Sequence, residues 1–128
     1  MSQKVLFSII DTPLHPNFVD LYHSLGLENV QIPTMRKAIA QLKNQKPDYV
    51  VAEFLYGYGS NYASVNVSNL DVFLHSLQKY APEAKVIVML EIEEFKHIEK
   101  LENLFKLHVV LKYPISKDKM KEALSYVK

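Results

Sequence analysis

Four short apolar runs each end in a residue that can carry charge. Val5-Leu6-Phe7-Ser8-Ile9-Ile10 ends in Asp11-Thr12, and Tyr49-Val50-Val51-Ala52 ends in Glu53. Lys85-Val86-Ile87-Val88-Met89-Leu90 ends in Glu91, and His108-Val109-Val110-Leu111 ends in Lys112. If the runs are parallel strands, they deliver these residues to one rim, the place where open α/β sheets build their sites. A carboxylate and an ammonium brought together there can form an ion pair partly withdrawn from water. Glu53 then decides whether the rim belongs to an enzyme, a switch or a fixed binding module.

The elements needed to position that rim are legible. Short unbroken apolar runs bounded by turn signals read as strands buried on both faces. Between them lie segments with apolar residues at helical spacing. Phe18, Leu21, Tyr22 and Leu25 form one such face, started near Pro16 and closed by Gly26. Thr34 caps the next, with Met35, Ala38, Ile39 and Leu42 inward. Val30-Gln31-Ile32 is a short strand ahead of it. A third helix starts at Ser68 or Asn69 and turns Leu70, Phe73, Leu74 and Leu77 inward, and Pro82 ends its connection. An acidic turn, Glu91 to Glu94, leads into a helix bearing Phe95, Ile98, Leu101, Leu104 and Phe105. Ser116 caps the last helix, with Met120, Ala123, Leu124 and Val127 inward. The pattern is (βα)5 without repeats or a linker. It predicts a flavodoxin-like three-layer sandwich with a parallel five-stranded sheet in the order 2-1-3-4-5. The weak second strand falls at an edge, and the four more apolar strands suit central places.

Bulk properties narrow the function classes. The 128 residues suffice for one domain spanning 1–128 and not for two. A net charge of +1 gives no field that draws nucleic acid or an anionic membrane. The absence of cysteine excludes disulfides, thiolate metal sites and a cysteine nucleophile. No apolar run nears the ~20 residues that span a bilayer. No cleavable signal follows Met1, so the expected compartment is the cytoplasm.

Other residues that could do chemistry have plainer uses. Tyr56, Tyr58 and Tyr62, beside Gly57 and Gly59, could form an interaction loop over residues 55–67, or fold back onto their own domain. Gly57-Tyr58-Gly59 lacks the spacing and the following Lys-Ser/Thr of a phosphate-binding loop. His15, His23, His75, His97 and His108 show no ligand spacing, so no metal is expected at them. Glu91, Glu93 and Glu94 suit the first turn of a helix or a negative patch at the rim. Lys117, Lys119 and Lys121 read as a solvated face. No Ser-His-Asp arrangement has a supporting motif, so no catalytic residue, cofactor or enzymatic activity is expected.

The order of elements and the strand-end residues together resemble a response-regulator receiver domain of the CheY-like kind, over essentially the whole chain. In that family an acidic pair follows the first strand, a phospho-accepting aspartate ends the third, and Ser or Thr ends the fourth. A lysine followed directly by proline ends the fifth. The matching positions here are Asp11-Thr12, Glu53, Leu90 and Lys112, with Tyr113 standing between Lys112 and Pro114. One carboxylate and the hydroxyl are missing, and the acceptor is Glu. The resemblance therefore implies a degenerate pseudo-receiver. Phosphoryl transfer needs a well-placed carboxylate and a divalent cation that prefers octahedral oxygen ligands. Asp11 and Glu53 are a thin set for it. Glu53 also carries its carboxylate one methylene further out, and a displacement of about 1 Å can cost ~100-fold in rate. Glu53 reaching Lys112 would imitate a phosphorylated aspartate or simply satisfy the lysine.

Two function classes follow. The first is a stand-alone signal-transduction module that works through contact with a regulatory protein, with a homodimer as an option. The family resemblance points to the face of the last two helices and fifth strand, and with the chain ending at Lys128 any output is expected from a partner. The second is a small flavodoxin-like ligand binder with the Tyr-rich loop over the strand ends. Flavin fits it poorly, because Asp11-Thr12-Pro13-Leu14-His15 has one hydroxyl and no glycine to cradle a phosphate.

Overall fold

A computed structural model describes residues 4–9, 18–54, 71–103, 105–113 and 115–125. Five strands alternate with helices: β1 (Lys4–Ile9), α1 (Val19–Ser24), β2 (Leu27–Ile32), α2 (Met35–Leu42), β3 (Tyr49–Glu53), α3 (Asp71–Tyr80), β4 (Lys85–Leu90), α4 (Ile98–Glu102), β5 (Val109–Lys112) and α5 (Lys117–Ser125). All four strand pairings are parallel and the order is β2-β1-β3-β4-β5. This is the flavodoxin-like arrangement the sequence predicts.

Period-two alternation along the strands splits the core into two layers. Phe7, Ile9, Val50, Ala52, Val86, Val88 and Leu90 turn to one side and pack with Ala38 and Leu42 of α2, Phe73, Leu74 and Leu77 of α3, and Ile98 of α4. Leu6, Tyr49, Val51, Ile87 and Met89 turn to the other and pack with Leu21 and Tyr22 of α1 and Met120, Ala123 and Leu124 of α5. Asp48 fastens the starts of three strands. Its Oδ2 accepts from the Val5 N–H at 2.9 Å, its N–H donates to the Val5 carbonyl at 2.8 Å, and its carbonyl accepts from the Lys85 N–H at 2.9 Å.

Local signals behave as their chemistry requires. The Thr34 hydroxyl accepts from the Lys37 N–H at 3.2 Å, and the Ser116 hydroxyl from the Lys119 N–H at 3.1 Å. Gly26 stands just past α1 at φ +77°, the left-handed conformation that a side chain resists. Four details differ from the sequence reading. Strand β2 starts at Leu27, directly after Gly26, and is longer than Val30–Ile32. Leu25 is 37% exposed, because it caps α1 instead of continuing it. Residues Ile92–His97 wind as a 3₁₀ helix before α4, and the tighter turn takes Phe95 out of the core to 41% exposure. Strand β5 is the second edge, with Val109, Val110 and Leu111 only half-buried, since a five-stranded open sheet must expose two edges. Pro16, Ser68, Asn69, Leu70, Leu104 and Val127 lie outside the described residues.

Tyr22 is 1% exposed, meets Phe18 edge-to-face at 6.3 Å, and its hydroxyl is buried with no hydrogen-bond partner among the described residues. Burial pushes its ionisation well above the ordinary tyrosine range. An unmatched buried hydroxyl costs about 1–3 kcal/mol of desolvation. Tyr22→Phe keeps the ring and removes that cost, so stability by urea unfolding is expected to hold or rise by about 1 kcal/mol. A loss above about 1 kcal/mol would show that the hydroxyl has a partner.

Candidate functional site

The rim at the strand carboxyl ends is built by β3, β4 and β5. Glu53, the last residue of β3, is 3% exposed, one of two buried polar side chains among the described residues; the other is Ser8. By alternation from Tyr49 and Val51, Glu53 faces the layer formed with α1 and α5. Met89 of β4 lies beside it in register, and Leu111 of β5 lies beside Met89. Val109, Leu111 and Tyr113 pack against this same layer. Tyr113 extends the ladder past β5 by donating its N–H to the Leu90 carbonyl at 2.9 Å. Its hydroxyl donates to Glu53 Oε2 at 2.9 Å.

Lys112 is exposed and alternates with Tyr113, so it belongs to the opposite face, in register with Leu90. Its Nζ sits 4.1 Å from the centroid of the Phe95 ring, a cation–π contact. The expected Glu53–Lys112 pair is therefore replaced by two contacts, Tyr113 on Glu53 and Lys112 on Phe95. Strand parity is the reason: residues 53 and 113 share a face and residue 112 does not. Leu90 is fully buried in the layer shared with α2, α3 and α4, on the other side of the sheet from Glu53. Asp11, Thr12, Tyr56, Tyr58 and Tyr62 lie outside the described residues.

Tyr113 is the site residue that sequence reasoning missed, although a signal was present. Counted back from Pro114, the position directly before the proline is Tyr113, not Lys112. A one-residue offset in a strand exchanges faces. The electrostatics agree with the geometry. Burial raises the ionisation of the Tyr113 hydroxyl far above its ordinary range, and the charge and hydrogen bond of Glu53 and the charge of Glu91 push it further the same way. The hydroxyl therefore stays protonated and stays a donor.

A divalent cation fits the described part of this rim poorly. Glu53 already accepts a proton donor, and among the described residues no group of three or more His, Cys, Asp or Glu could hold a metal ion. What the arrangement does is tie the end of β5 to the end of β3.

No family model matches the sequence, and no curated protein does. Solved structures do. A chemotaxis response regulator of Vibrio cholerae superposes with a TM-score of 0.74 at 11% identity, over 99% of this chain and 100% of that one. The signal receiver domain of a putative LuxO repressor protein from Vibrio parahaemolyticus gives 0.71 at 17% identity, over 98% and 89%. A response regulator from Thermotoga maritima gives 0.70 at 13%, over 98% and 97%. Identities this low speak for the fold alone, and the fold of this chain is that of the CheY-like response-regulator receiver domains.

Proposed function

We propose that the chain is a receiver-like signal-transduction module that acts through protein–protein contact, with Glu53 at the phospho-acceptor position of a degenerate site and no phosphorylation step. The observation that carries the reading is the closed acceptor position: Glu53 is 3% exposed and its carboxylate takes the Tyr113 hydroxyl at 2.9 Å. A phosphoryl donor would have to displace that hydroxyl and reach a buried oxygen. Leu90 offers no hydroxyl, and Lys112 is engaged with Phe95. The fold supports a regulatory role, and the site supports one without catalysis. The module would work in the cytoplasm through a regulatory protein partner.

The test is incubation with acetyl phosphate and Mg2+ followed by intact-mass measurement, with a phosphorylatable receiver domain as the positive control. The expected result is an unchanged mass under conditions that fully modify the control. A stoichiometric gain of one phosphoryl group, lost in Glu53→Gln, would overturn the reading.

A further inference from the structure

The two rims of the sheet carry complementary surfaces. At the carboxyl-end rim, the 3₁₀ helix Ile92–His97 leaves Ile92 63% and Phe95 41% exposed. Residues three apart eclipse one another in a 3₁₀ helix, so these two form one apolar stripe. Exposed Glu91 and Glu93 flank it, and the Lys112 ammonium holds one face of the Phe95 ring. At the opposite rim, the segments entering β4 and β5 enclose a groove of about 630 Å³ with Pro82, Ala84, Phe105 and Leu107 in its lining. Lys85 and Lys106 stand in that lining and are exposed. A second groove of about 530 Å³ shares Pro82 to Lys85 with it and adds Lys4 and Lys46.

We propose that copies of this chain dock head to tail, the acidic Ile92–Phe95 stripe of one copy seating in the lysine-edged groove of the next. Ile92 and Phe95 supply the apolar anchors, and the groove supplies apolar walls between cationic edges. Opposed charges on two such surfaces steer the encounter and fix its register. The few charges of the wrong sign are Glu83 in the groove, and Lys96 and Lys112 beside the stripe. Asp48 at the second groove is already committed to the Val5 N–H. Stripe and groove lie at opposite ends of β4, whose six residues span about 20 Å. One docking therefore leaves a free stripe at one end and a free groove at the other. The contact is heterologous, and with stripe and groove at opposite rims it propagates as a ring or an open chain instead of closing as a two-fold dimer. The occupant is a second copy because this one chain carries both halves of the match. The inference stands apart from the reading of Glu53.

The experiment is sedimentation velocity across a concentration series at about 0.05 and 0.5 M salt, where the screening length falls several-fold. Wild type is expected to pass beyond dimer mass with concentration at low salt, with apparent affinity at least about tenfold weaker at high salt. Glu91→Lys with Glu93→Lys makes both rims basic, and Lys85→Glu with Lys106→Glu makes both acidic. Each double variant alone is expected to stay monomeric, and a one-to-one mixture is expected to assemble. Phe95→Ala should lose assembly while unfolding near the wild-type temperature. All these positions are exposed, and circular dichroism checks that each variant is folded. A wild type that stays monomeric at low salt, a mass that stops at dimer, or folded double variants whose mixture fails to assemble would each overturn the proposal.

Discussion

Leu90→Thr, the change that would restore a hydroxyl at the end of β4, is expected to destabilise the fold by about 2–4 kcal/mol instead of building a site. Leu90 is fully buried among Val88, Phe54, Ile98 and their neighbours. Shortening it leaves a cavity in the layer packed by α2, α3 and α4, and the new hydroxyl enters that apolar layer, where its desolvation adds about 1–3 kcal/mol. Leu90→Val separates the two effects, since it matches threonine in shape without the oxygen. It should cost about 1 kcal/mol, in the range of a single lost methylene. Urea unfolding of both variants reads the difference directly. If Leu90→Thr were as stable as Leu90→Val, the hydroxyl would have found a partner, and the rim at β4 would be more receptive than its packing indicates.

The sequence made the fold legible because strands buried on both faces leave little ambiguity. Val86 to Leu90 and Val50 to Ala52 are continuous apolar runs, and such runs need helices above and below. The capping residues Thr34, Gly26 and Ser116 were equally readable, since each acts on its own neighbours. The misplacements have another origin. Whether residues 92–97 wind as α or 3₁₀ turns on small differences in backbone geometry that composition does not encode, and that choice moved Phe95 from the core to the surface. The site was legible as a set of strand ends but not as a set of contacts. Glu53 does stand at the end of β3, where the apolar run before it places it. Its described partner depends on strand parity at β5, where one residue decides which face a side chain joins. The charge pattern of the rims depends in the same way on topology: Lys4, Lys46, Lys85 and Lys106 are scattered in sequence and meet only because parallel strands all start at one edge.

Tyr113→Phe is expected to lower stability by about 1.5–3 kcal/mol, the range for a hydrogen bond to a charged group. The bond joins residues 60 apart in sequence, so its loss loosens the end of β5 from β3 and not merely a local turn. Removing the hydroxyl also takes a donor from a carboxylate that is 3% exposed. Glu53→Gln keeps an acceptor oxygen for Tyr113 but removes the charge, so it should cost part of the same energy. Combining the two changes should cost less than their sum by about 1 kcal/mol, the signature of residues in contact. Lys112→Ala is the control: it removes a surface cation–π contact worth about 0.5–1 kcal/mol, and it should add to Glu53→Gln without coupling. The pH dependence gives a second readout. The folded protein holds the Tyr113 proton to a higher pH than the unfolded chain, whose tyrosines titrate near 10. This contribution is complete below pH ~10 and is lost as pH rises above it, because the unfolded chain then releases a proton that the folded chain keeps. Tyr113→Phe should flatten that alkaline decline without abolishing it, since burial also raises the ionisation of Tyr22 and Tyr49. Strict additivity of Tyr113→Phe with Glu53→Gln, together with an unchanged alkaline limb, would dissolve the Tyr113–Glu53 tie and return Lys112 to consideration as the partner of Glu53.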